Sequence, residues 1–221
     1  MALGGWPGDE DEPTRALQSF MLGVARGARV CFVPTATGDD PETIVTFYEQ
    51  WRGLGELRHL PFFPWPPTDL RDVALGHDVL LVGGGNTANM LAIWRTHGFD
   101  RVLRDAWEDG VLLCGWSAGM MCWFEAGVTD SFGPQLAGMG DGLGFLPGSA
   151  CPHYDGEERR RPVYTELVGG GFPPGYAADD SVALHFRGTE LAEVVSARPG
   201  AQAYRVETTG ETPLPGRLIA G

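Results

Sequence analysis

Gly115-Trp116-Ser117-Ala118-Gly119 follows the apolar run Val111-Leu112-Leu113-Cys114 and precedes the apolar, helix-compatible stretch Met120-Met121-Cys122-Trp123-Phe124. Strand, sharp turn and helix in that order make a nucleophile elbow, where small flanking residues let the chain turn tightly and lift a serine hydroxyl clear of the sheet edge. A helix starting at Ala118 would also aim its free N–H groups at an anion formed beside the serine. Taken alone, the motif reads equally well as a glycine-rich turn whose serine caps a helix. The rest of the chain has to decide.

A serine nucleophile needs a base, and histidine is the usual one. Four of the five histidines, His59, His77, His97 and His185, sit in or beside ordinary strand, turn and helix patterns. His153 differs, because it follows Pro152 at the end of a short apolar stretch and precedes a charged loop, which places its ring at a sheet edge. The third group should be a carboxylate that fixes the imidazole tautomer. Asp130, Asp141, Asp155, Asp179 and Asp180 all follow the serine, and the pair Asp179-Asp180, just ahead of Ser181-Val182-Ala183-Leu184-His185-Phe186, is favoured over loop aspartates. Paired acids could also bind a divalent cation, but no histidine or third acid stands at ligand spacing, so no metal and no cofactor are expected.

The elements that must position these residues alternate. Apolar strand patterns at 29–34, 57–63 and 78–82 are separated by helical patterns, among them an acid-capped helix opened by Asp9-Glu10-Asp11-Glu12 and ending near Arg26, and another at 42–54. Helices at 88–96 and 99–109 lead to the strand before the elbow. Strands that are apolar throughout, in β/α alternation, predict an α/β fold with a mostly parallel sheet covered by helices on both faces. Ligands on that architecture bind beyond the carboxyl ends of the strands. Gly83-Gly84-Gly85-Asn86-Thr87 stands at one such end and opens a helix, without the spacing of a Walker or dinucleotide fingerprint. Residues 127–148 read as an extended glycine-rich loop near the site, 162–168 as a helix, and 175–186, 191–196 and 201–206 as closing strands, partly antiparallel. The tail at 207–221 reads as an edge or frayed segment.

The 221 residues fit one domain. A formal charge of −13 argues against nucleic acid and against an acidic membrane surface. Cys31, Cys114, Cys122 and Cys151 show no metal spacing and read as buried thiols. With no basic leader and no apolar run of about 18 residues, a cytoplasmic protein is expected.

Val82-Gly83-Gly84-Gly85-Asn86-Thr87, Gly115-Trp116-Ser117-Ala118-Gly119 and Pro152-His153-Tyr154 together resemble, in order and spacing, the peptidase E and cyanophycinase family of serine peptidases. The resemblance covers roughly 29–188. It implies an α/β sandwich related to class I glutamine amidotransferases, a metal-free Ser-His-acid triad, cleavage next to aspartyl residues in short peptides, and a homodimer. On it, Ser117 matches the nucleophile, His153 the base, and the N–H groups of Gly85 and Ala118 the oxyanion hole. The family's third residue is a glutamate shortly before a strand that ends in glycine. No glutamate occupies that place here, and counting back from Gly188 points to Asp179, with Asp180 next and Asp130 as a further alternative. Gly156-Glu157-Glu158-Arg159 resembles the segment whose arginine pairs with the substrate's aspartyl carboxylate; Arg159 and Asn86 are therefore the substrate-binding candidates, while Arg160 and Arg161 read as solvated surface charge. The family's first strand and glycine turn are shortened here to Ala2-Leu3-Gly4-Gly5. Tryptophans such as Trp51, Trp65 and Trp94 suit either a dimer contact or the core. The resemblance thus implies a serine peptidase for short peptides, dipeptides with an N-terminal aspartate among them. An α/β-hydrolase-type esterase shares the elbow but orders its triad serine, acid, histidine, and a non-catalytic small-acid-binding relative would use the same loops.

Overall fold

The computed structural model describes residues 1–8 and 11–220. Asp9 and Glu10, expected in the first helical turn, lie outside the described residues. In chain order the elements are β1 (Ala2–Leu3), α1 (Asp11–Val24), β2 (Arg29–Val33), a 3-10 turn (Thr35–Thr37), α2 (Pro41–Gln50), β3 (Glu56–His59), α3 (Leu70–Leu75), β4 (Val79–Val82), α4 (Thr87–His97), α5 (Phe99–Glu108), β5 (Leu112–Trp116) and α6 (Ala118–Met121). There follow β6 (Phe124–Thr129), β7 (Ala137–Met139), β8 (Leu146–Cys151), α7 (Arg160–Gly169), β9 (Gly175–Ala178), β10 (Val182–Arg187), β11 (Glu190–Ser196), β12 (Ala203–Glu207), β13 (Gly210–Pro213) and β14 (Arg217–Leu218).

Two sheets form. The larger runs β14-β11-β10-β1-β5-β4-β2-β3. Its five strands from β1 to β3 are mutually parallel, and β10 and β11 extend it antiparallel. Burial on both faces explains why these strands are apolar throughout. On one face Leu3, Phe32, Leu81 and Cys114 pack with Leu17 and Met21 of α1 and Phe47 of α2. On the other, Ala2, Val33, Val82 and Leu184 meet Met90 and Trp94 of α4, the short α6, and Phe124 and Ala150 of the second sheet. That sheet runs β13-β12-β9-β8-β6-β7, and its far face is covered by Tyr164 and Val168 of α7.

Helix boundaries follow local chemistry. Asp40 caps α2, its carboxylate accepting from Thr43 N at 2.9 Å, with Pro41 in the first turn. Asn86 does the same for α4, accepting from Asn89 N at 2.9 Å, and Gly98 ends that helix in the left-handed region.

Two expectations need correction. Residues 127–148 are not an extended loop: they carry the end of β6, all of β7 and the start of β8, and Gly127 lies on β6, paired with both Met139 and Ala150. Glycine in a strand lets backbones approach closely and so hides the strand from pattern reading. The helix after the elbow is only four residues long, since the chain enters β6 at Phe124. Trp51 and Trp94 are 1% and 0% exposed and belong to the core, whereas Trp65 is 75% exposed. The tail supplies β13 and β14, each at a sheet edge.

β1 is only two residues long and lies at the middle of the large sheet, between β10 and β5. Leu3 is fully buried there. Leu3→Ala is expected to cost about 2–5 kcal/mol, read as a lowered midpoint in urea denaturation.

Candidate active site

The site is assembled on the carboxyl end of β1. Leu3 O accepts from Ser117 N at 3.2 Å, Gly4 O from His153 N at 3.3 Å, and Gly5 O from Ser181 N at 3.0 Å. Three consecutive carbonyls therefore hold the elbow, the histidine loop and the residue after Asp180.

Ser117 occupies the turn between β5 and α6 with φ 55° and ψ −112°. Its carbonyl accepts from Met120 N and Met121 N at 2.9 and 3.0 Å, so the turn is pinned on both sides. The flanking glycines are sterically required: a Cβ on Gly115 would press on Gly119 O at 2.5 Å, and one on Gly119 would overlap Val82 O. Of the four non-glycine residues with positive φ among the described residues, three are Ser117, His153 and Ser181. Such conformations cost of order 1–3 kcal/mol each and persist only where surroundings enforce them; here they coincide with the site. Among the described residues the Ser117 hydroxyl makes no hydrogen bond, so its relation to His153 rests on the shared backbone frame.

His153 Nδ1 donates to Asp180 Oδ1 at 2.7 Å, with side-chain exposures of 23% and 30%. That pairing assigns the proton to Nδ1 and leaves Nε2 as an acceptor. The hydrogen bond from His153 holds the Asp180 carboxyl below the usual carboxylate range, against an opposing desolvation cost. Asp180 is itself positioned by Asp155, whose Oδ1 accepts from Asp180 N at 2.9 Å and whose other oxygen pairs with Arg198.

The carboxylate that meets His153 is thus Asp180, not Asp179. Asp179 is 5% exposed and accepts from Gln202 N at 2.8 Å, tying the end of β9 to the loop before β12. Burial pushes its carboxyl up to about 6. Adjacent residues on extended backbone point to opposite sides, so the choice between the two depends on which side faces His153. Asp130 is exposed beyond β6, with its carbonyl accepting from Gly133 N at 3.1 Å, and it does not join the pair.

Gly85 is exposed, has φ 130°, and a Cβ there would overlap Ala36 O. Neither its N–H nor that of Ala118, at the start of α6, is used in a hydrogen bond among the described residues. Asn86 departs from its expected role. Its Oδ1 caps α4 and its Nδ2 donates to Ser131 O at 3.0 Å, so both ends are committed to the protein. Arg159 is exposed and donates to Pro134 O at 3.3 Å, without a carboxylate partner among the described residues. Its neighbours are not free surface charge. Arg160 is 4% exposed, bonded to Glu157 and to Val128 O at 2.8 Å, and Arg161 pairs with Glu211 and lies over Tyr204. Of the other histidines, His59 meets Tyr48 Oη, His77 meets Val73 O and His185 meets Glu193. What pattern reading missed is the holding role of Gly4 and Gly5; their pairing after a two-residue apolar run was the one available signal.

A positive-φ serine at a strand-to-helix turn of an α/β sheet, with a histidine–carboxylate pair held on the same strand end, has the layout used by serine hydrolases. The sequence profile of peptidase family S51 matches residues 3–194. The uncharacterized peptidase YgaJ of Bacillus subtilis (strain 168) is 45% identical over 227 residues, covering 99% of this chain and 98% of that one. The chain belongs to peptidase family S51 and is a serine-type peptidase. Its fold resembles that of a peptidase from an acI-B1 Actinobacterium, with a TM-score of 0.68 at 18% identity, covering 97% of this chain and 93% of that one. It also resembles a protein designated peptidase E from Listeria monocytogenes EGD-e, with a TM-score of 0.60 at 19% identity, covering 82% and 92%.

Three outcomes check the site. A Cβ on Gly5 would overlap Asp180 Oδ1 and approach His153 Nδ1 to 2.9 Å, so Gly5→Ala should part that pair and reduce kcat by at least about 100-fold while circular dichroism stays native. Asp180→Asn should cause a loss of similar size, whereas Asp179→Asn should keep most activity. Because folding raises the Asp179 pKa to about 6, its contribution to stability is present below its unfolded pKa and lost as pH rises through 6. Asp179→Asn should therefore raise the unfolding free energy at pH 7.5 by an amount of order 1 kcal/mol, read as a higher melting temperature, with the gain shrinking toward pH 4.

Proposed function

We propose that this peptidase cleaves short peptides through an acyl-enzyme on Ser117. His153 Nε2 takes the hydroxyl proton as Oγ attacks the scissile carbonyl, then gives it to the leaving amine as the carbon–nitrogen bond breaks; water repeats the sequence to release the acyl group. Asp180 holds the imidazole tautomer and stabilises the imidazolium. The N–H groups of Gly85 and Ala118 receive the oxyanion, a contribution of about 3–4 kcal/mol per donor in comparable sites. The observation that carries this reading is the seating of Ser117, His153 and the Asp180 turn on the three carbonyls of Leu3, Gly4 and Gly5.

Arg159 supports a preference for an N-terminal aspartate. It is the one member of the Arg159-Arg160-Arg161 run without an acidic partner among the described residues, and a guanidinium binds a carboxylate bidentately. The esterase reading is weaker because the histidine precedes the acid in the chain, the reverse of the α/β-hydrolase order. A binding protein without catalysis would not need strain at Ser117.

The same reading takes residues 1–221 as one unit in the cytoplasm, working without a metal or other cofactor, with a homodimer to which the exposed Phe63 and Trp65 are available. All four cysteines are buried and unpaired, as suits a reducing compartment. No helix among the described residues is long and apolar enough to cross a membrane.

Ser117→Ala should fold normally and lower kcat by about 1,000-fold or more; peptidase activity retained in that variant would end the assignment. In Arg159→Ala, kcat/KM for aspartyl dipeptides should fall about 10- to 100-fold, the size of a lost charged hydrogen bond, while non-acidic peptides change little.

A further inference from the structure

Beside the elbow, on the α1 and α2 face of the large sheet, lies a cavity of about 270 Å³. Its walls are aromatic: Trp6, Phe32, Phe47, Trp51 and Trp116. Phe32, Phe47 and Trp51 are at most 4% exposed and form a dry floor, and Trp6 and Trp116, with ring centroids 5.1 Å apart, stand above it. The cavity is braced. Trp6 Nε1 donates to Gln50 Oε1 at 2.9 Å, and Gln50 Nε2 donates to Gly8 O at 3.0 Å.

Both upper walls are one residue away from the proposed chemistry. Trp116 precedes Ser117, and Trp6 follows Gly5, which packs against His153 and Asp180. Gly84 is shared as well, since a Cβ there would lie 3.1 Å from Trp116 Nε1 and 3.3 Å from Ser117 Cβ. Arg159 immediately precedes α7, whose Tyr164 and Val168 cover the far face of the second sheet. Trp116, one residue before Ser117, brings this cavity within a side chain's reach of a peptide bond held at the serine.

We propose that the aromatic cavity is the subsite for the side chain of the residue released on cleavage, and that it selects a large apolar or aromatic side chain. This rests on the peptidase reading given above. The volume lies just under the ~300–1,000 Å³ typical of whole-ligand pockets and suits a single side chain. Its depth holds no charge. The charged lining residues are both acidic and stand at the mouth: Glu42 is exposed, and Asp40 has one oxygen committed to Thr43 N and Oγ1. An acidic side chain would meet two carboxylates, whereas a cationic one could pair with them only at the mouth and would make no ring-to-ring contact with the floor. An aromatic side chain gains both burial and ring-to-ring contact.

Two measurements separate this proposal from the reading on which it rests. The first is calorimetric titration of the protein with the free amino acids phenylalanine, leucine, alanine, lysine and glutamate, each a possible leaving product. Phenylalanine and leucine should bind at least 10-fold more tightly than alanine, with glutamate weakest. Thr46→Trp, which fills the cavity from its rim, and Trp6→Ala, which removes a wall, should each bring the phenylalanine-to-alanine ratio toward one. The second is kcat/KM for aspartyl dipeptides carrying the same five residues, where the order should repeat. Equal binding of phenylalanine and alanine, a ratio unmoved by both variants, or lysine at the head of the series would overturn the subsite. Selective phenylalanine binding without cleavage of any dipeptide would uphold the subsite and overturn the aspartyl dipeptide reading instead.

Discussion

Everything at the site depends on a run of three backbone carbonyls. Leu3, Gly4 and Gly5 accept in turn from Ser117, His153 and Ser181, which come from three separated parts of the chain. These are ordinary hydrogen bonds, each worth roughly 1 kcal/mol net. Their value is geometric. They are made by a strand clamped between β5 and β10 in the middle of the large sheet, where neighbouring ladders and a buried Leu3 leave it little freedom to shift. A rigid central strand thereby sets the relative positions of the serine, the imidazole and the carboxylate turn.

That frame also explains how strain is sustained. Ser117, His153 and Ser181 all have positive φ without being glycine, and each donates its N–H to this same short segment. A loop left to itself would relax out of such conformations. Close packing of Gly115 against Gly119, and of Gly5 against His153 and Asp180, removes the room in which relaxation would occur. The two aspartates of one dipeptide are then driven apart electrostatically. Asp180, half-open and bonded to an imidazole, is shifted toward its ionised form, while burial shifts Asp179, with a backbone N–H as its partner, toward the neutral one. Environment, not residue type, gives them different roles.

The parallel half of the fold was legible because doubly buried strands must be apolar at every position, and helices between them carry caps such as Asp40 and Asn86. The second sheet was not. Its strands β6 to β9 contain Gly127, Gly138, Gly148 and Gly175, where backbone approaches backbone or side chain so closely that no Cβ fits, and a glycine-rich strand shows no periodicity to read. Asn86 and Arg160 were misjudged for a related reason. A polar side chain looks free in a sequence until the tertiary fold supplies Ser131 O or Val128 O for it to bond.

By itself, the sequence determined the strand–turn–helix around Ser117, because small residues after an apolar strand are a local pattern that local sterics enforce, and the order and spacing of its three motifs pointed through a family resemblance to a serine peptidase. Only the tertiary structure decided which aspartate completes the pair, that a two-residue strand at the start of the chain holds all three loops, and that Trp6 and Trp116 wall a cavity beside Ser117. Those facts depend on which side of an extended backbone faces a neighbour more than twenty residues away, and no local pattern encodes that side.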